Sequence, residues 1–80
     1  MPSEPLNRRD AKRAVASAAT HIFRAAEDME HLYELFAAEG NPLATSFAQA
    51  GNALCQFISV LEDLWAEAWG PPPQNWMSYH

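Results

Sequence analysis

Glu39-Gly40-Asn41-Pro42 is the only break between two long segments whose apolar residues recur at helical spacing. A glycine tolerates the left-handed conformation that closes a helix, and an asparagine side chain caps the next one. A proline in the first helical turn gives up only an amide that would have no intrahelical partner. Upstream, Val15, Ala18, Ile22, Ala25, Met29, Leu32 and Phe36 advance in steps of three and four; downstream, Leu43, Phe47, Ala50, Leu54, Phe57, Leu61, Leu64 and Ala68 do the same. Folding the chain back at Gly40 sets Phe36 against Phe47, Met29 against Leu54, Ile22 against Leu61 and Val15 against Ala68. The expectation is an all-α antiparallel helical hairpin spanning 8–70, with one helix over about 8–39, a turn at 40–41 and a second helix over about 42–69.

The second segment is apolar beyond what one neighbour can cover. Ala44, Ala48, Gly51, Ala53, Ile58, Val60 and Trp65 widen its stripe, and Gly51 with Ala44 and Ala48 permits close backbone approach. Phe23 stands among polar residues on the outer side of the first segment and hints at a further packing surface. Together these features predict a homodimer in which two hairpins form a four-helix bundle, or else a hairpin that lays this face on a different protein. Residues 1–7 carry two prolines and no periodicity and read as a flexible lead-in, with Asn7 as an N-cap for the first helix. Gly70 and Pro71–Pro73 end the second helix, leaving a tail over 71–80 rich in aromatics. Trp76 is expected to fold back onto the open end of the hairpin and stack on an arginine; the other reading makes Trp76 and Tyr79 anchors for a partner.

An 80-residue chain with a single cysteine has no internal disulfide to support it. Cys55 is expected to be an inert, partly buried residue, and a lone thiol fits a cytoplasmic protein. No segment approaches the ~20 apolar residues a bilayer crossing needs, so the expectation is no membrane association.

The formal charge is −5, with sharply uneven placement. Arg8, Arg9, Lys12, Arg13 and Arg24 all precede residue 25, while Glu27, Asp28, Glu30, Glu34, Glu39, Glu62, Asp63 and Glu67 follow without a Lys or Arg among them. Cations therefore crowd a helix start and anions the helix ends, against the helix dipole.

No catalytic group emerges. Cys55 is separated from His21, His31 and His80, the serines have no base and orienting partner, and there is no glycine-rich phosphate loop. No cofactor is implied. The reading that remains is a small non-enzymatic interaction protein: an acidic helical adaptor or inhibitor that binds a protein partner with a basic or apolar surface and blocks a nucleic-acid-binding site on it. Its expected contacts are Glu27, Glu30, Glu34, Glu62, Asp63, Glu67, Trp76 and Tyr79.

Two alternatives follow from other residues. Asp28 and His31 have a spacing that loosely resembles the Glu-x-x-His pairs of di-iron carboxylate bundles, and that resemblance implies a ferritin-like, metal-holding assembly of several hairpins with Glu27, Asp28, His31 and Glu62 at an interface. The inward positions of the first helix are apolar, which argues against it. Arg8, Arg9, Lys12 and Arg13 at a helix start could instead grip a phosphorylated ligand or nucleic acid. Four cations in an acidic chain make a thin footprint for direct nucleic-acid binding.

Overall fold

The computed structural model describes residues 8–78 and consists, over that span, of two long helices and a short closing turn. Helix α1 runs Arg8–Ala38, helix α2 runs Leu43–Trp69, and a single 3-10 turn covers Trp76–Ser78. The lead-in, Asn7, Tyr79 and His80 lie outside the described residues.

The reversal is a Schellman turn. Gly40 takes φ 68, and the amides of Gly40 and Asn41 donate to the carbonyls of Ala37 and Phe36 at 3.0 and 2.9 Å. Asn41 Oδ1 then accepts from the Leu43 amide at 2.9 Å, capping α2. Pro42 has helical torsions of φ −63 and ψ −17 but stands just ahead of the helix rather than as its first residue.

Of the pairings expected from the stripes, Phe36 and Phe47 meet, with ring centroids 4.9 Å apart and the rings tilted at 56°, and Gly51 lies against Met29 and Ala26. The rotation of the helices differs from expectation. The buried residues are Ala16, Ala19 and Ala26 on α1, Ala44 and Trp65 on α2, and Trp76 beyond them. On α2 the contact line follows Ala44, Gly51, Ile58 and Trp65 at heptad spacing; on α1 it follows Lys12, Ala19 and Ala26.

The seam is thus made mostly of small residues, which bring the backbones close. Ala44, Ala48 and Gly51 serve the hairpin's own interior and not the dimer face proposed for them from sequence. A Cβ built on Gly51 would sit 3.4 Å from Met29 Cβ and 3.8 Å from the Ala26 carbonyl oxygen, so there is room for one methyl group and no more. Gly51→Ala is therefore expected to raise stability in urea unfolding by about 0.5–1 kcal/mol through helix propensity, and Gly51→Leu to lower it by about 1–3 kcal/mol through overpacking.

The large apolar residues lie beside the seam. Leu43, Ala50, Phe57 and Leu64 each precede a seam position by one residue, a rotation of about −100°, and Leu54, Leu61 and Ala68 are offset by about −40°. On α1, Ile22 and Met29 are offset by about −40° and Ala18, Ala25 and Leu32 by about −100° from the same line. In an antiparallel pair the local two-fold axis is normal to the plane of the hairpin, so the same rotational sense on both helices leads to the same face. The two stripes do not face each other; they lie side by side on one face, and no polar or charged residue occurs among them. Much of that face is bare: Leu43, Phe57 and Leu64 are 53%, 52% and 51% exposed.

At the open end the chain closes on itself. Trp65 is buried between Trp69 and Trp76, with ring centroids at 5.2 and 5.6 Å, and Val15, Ile58, Leu61 and Met77 pack around this cluster. Lys12 Nζ lies 5.6 Å from the Trp65 ring and 5.8 Å from the Trp69 ring. The cation on the aromatic cluster is therefore a lysine on Trp65 and Trp69, where sequence reasoning placed an arginine on Trp76. Trp76 Nε1 donates to Glu62 Oε2 at 3.1 Å. Thr20 Oγ1 lies 3.0 Å from the carbonyl oxygens of both Ala16 and Met77, and its single proton serves one of them at a time.

Candidate functional site

The face opposite the apolar one carries Glu27, Glu30 and a groove. Residues rotated from the seam in the positive sense, Phe23, Glu27 and Glu30 on α1 and Ala48, Asn52 and Cys55 on α2, border it together with Tyr33 and Phe47. Its floor is the small-residue seam at Ala26 and Gly51, and its volume is about 360 Å³. Small floor residues make it a groove: where the seam holds alanine and glycine, the flanking aromatics stand above it. Phe23 closes one end, 47% exposed, and Tyr33, 42% exposed, stands with Phe47 at the other.

Glu27 and Glu30 are exposed on the α1 wall and, among the described residues, form no hydrogen bond or ion pair. Two like charges a helical turn apart, on a wall with no cation opposite, leave a local negative potential over an apolar floor. Glu34 continues the row one turn further along α1, also exposed.

The other residues singled out from sequence are not gathered here. Glu62 accepts the Trp76 indole N–H toward the open end. Asp63 and Glu67 stand two residues either side of the seam position Trp65, which turns both onto the outer side of α2. Trp76 is 4% exposed and engaged in the cluster, so it is a closing residue and offers no surface to a partner. Asp28 and His31 are exposed on α1, and among the described residues no group of three or more His, Cys, Asp or Glu converges as a metal site. His21 is exposed as well.

Cys55 is exposed on the groove wall, not partly buried as expected, because the seam passes through positions 51 and 58 and turns residue 55 outward. Sequence reasoning missed the groove, whose only signal is a run of alanines and one glycine at seam spacing between aromatics. No helix among the described residues is long and apolar enough to cross a membrane. No protein-family description, no characterised protein sequence and no solved structure matches the chain.

Proposed function

We propose that the protein is a non-enzymatic interaction module in which two hairpins pair through their uncharged faces as a four-helix bundle and present an acidic groove face on each outer side to a partner with a basic surface. One observation carries this reading: one face of the hairpin bares Leu43, Phe57 and Leu64 with no charge among them, while Glu27, Glu30 and Glu34 stand on or beside the other.

A lone hairpin keeps little from water. Its buried residues are four alanines and two tryptophans, and its radius of gyration is 16.4 Å against about 12 Å for a compact domain of this length. The apolar face of helices such as the 27-residue α2, two helices wide, measures about 40 by 20 Å, close to the ~800 Å² per partner of a stable interface. A four-helix bundle needs two contact lines on each helix about 90° apart, and the small-residue seam and the large-residue stripes are separated by that order of angle.

The acidic face supplies steering. Carboxylates in a row raise the encounter rate with a basic surface and can occupy a site that otherwise meets phosphate, which is how such a protein inhibits a nucleic-acid binder. A dimer presents two such faces and gains avidity on a partner with repeated basic sites. The test uses a nonamer of arginine as a model basic ligand, followed by fluorescence anisotropy across ionic strength. Replacing Glu27, Glu30 and Glu34 with glutamine should weaken binding about tenfold or more and flatten its salt dependence while helicity by circular dichroism is retained. Equal affinity and slope in the triple variant would remove the acidic-face reading.

A further inference from the structure

We infer that the groove between α1 and α2 is a receptor for arginine side chains, so that the basic partner is held by planar cations inserted into the hairpin and not by diffuse attraction alone. This rests on the acidic-face reading and makes it specific.

The chemistry of the walls sets the ligand. Phe23 at one end and Tyr33 and Phe47 at the other offer aromatic rings, Glu27 and Glu30 offer two unpaired carboxylates on one wall, and the floor is apolar. Three classes of occupant can be weighed against that arrangement. An aliphatic side chain would bury the floor but leave both carboxylates desolvated without a partner. An anion is repelled. A lysine satisfies the charge, but its ammonium is compact and strongly hydrated and gains less from ring faces.

A guanidinium fits all three features. It is weakly hydrated, it stacks on aromatic rings, and its fork of N–H donors matches carboxylate oxygens, while its methylene stem covers the apolar floor. The volume of about 360 Å³ lies at the small end of ligand sites, the size for an inserted side chain and too small for a docked helix. The groove extends along α1 from Phe23 to Tyr33, about 15 Å by helical rise, so an extended segment can place more than one arginine along it.

The inference separates from simple charge attraction by cation identity. Nonamers of arginine and of lysine carry the same charge, and an acidic surface without rings to stack on separates them far less than the groove does. The groove should prefer the arginine nonamer by about three- to fivefold per engaged side chain. The double variant Phe23→Ala, Tyr33→Ala should abolish this preference while leaving the lysine nonamer's affinity and salt slope unchanged.

Phe23 and Tyr33 are 47% and 42% exposed, and circular dichroism with urea unfolding checks that the double variant keeps its helices and its seam. Amide shifts in a two-dimensional NMR titration with the arginine nonamer should concentrate at Ala26, Gly51 and Cys55. Equal binding of the two nonamers, or an arginine preference that survives the loss of both rings, overturns the groove. Either result leaves the acidic-face reading to stand or fall on the glutamine triple variant.

Discussion

Replacing Trp76 with alanine is expected to lower the unfolding free energy by about 3–5 kcal/mol, the usual cost of emptying a buried indole. A domain of 80 residues has on the order of 4–12 kcal/mol to lose, so this single change should bring the protein to the edge of stability and lower its melting temperature by roughly 15–30 °C. Trp76 is 4% exposed and lies on Trp65, itself 2% exposed, and among the described residues these are the large rings that are buried. The chain reaches this position because Pro71–Pro73 cannot continue the helix and hold an extended course, after which the Trp76 amide bonds the Pro73 carbonyl at 3.0 Å.

Trp76→Phe separates packing from the indole hydrogen bond. It keeps most of the contact with Trp65 and releases Glu62 to water, so its cost should be about 1–2 kcal/mol. Differential scanning calorimetry on both variants reads the difference. A Trp76→Ala protein melting within a few degrees of the parent would show that the tail does not close the core.

The turn and the register were legible because their signals are local and unambiguous: Gly40 with Asn41 has one sensible use, and Phe36 with Phe47 fixes the axial alignment. Rotation about each helix axis was not. Periodicity weighs large side chains, so Leu43, Phe57 and Leu64 defined the stripe and were assigned to the hairpin's own seam. Alanine and glycine contribute little to an apolar pattern, yet close approach depends on their small size, and Ala44, Gly51, Ala19 and Ala26 took the seam instead. Each helix carries two apolar lines, one small and one large, and nothing in spacing alone says which is used first. The groove was hidden for the same reason, since its floor is that small line. Of the acidic residues, the row on α1 could be read as one wall, but Asp63 and Glu67 could not be placed until the seam of α2 was known.

Leu64→Glu is expected to turn the proposed dimer of two 8.9 kDa chains into a monomer, measured by light scattering at micromolar concentration, with its helices still formed. In the single hairpin Leu64 is 51% exposed, so a carboxylate there meets water and costs little. In the paired bundle the same carboxylate would be buried against the partner's apolar face without a counter-charge, a penalty of several kcal/mol taken twice by two-fold symmetry. The gain it must overcome is modest: withdrawing the exposed halves of Leu43, Phe57 and Leu64 from water contributes about 1 kcal/mol each per protomer. The control is Val60→Glu. Val60 is also on α2 and 47% exposed, but it stands about 150° from the seam, on the outer side of the helix. An apolar residue of equal exposure on a face that takes no partner should leave the mass unchanged, so the pair of variants reports on the face and not on surface hydrophobicity. A parent protein that is monomeric at this concentration, or a dimer that survives Leu64→Glu and dissolves with Val60→Glu, would place the interface elsewhere and leave the uncharged face without its assigned occupant.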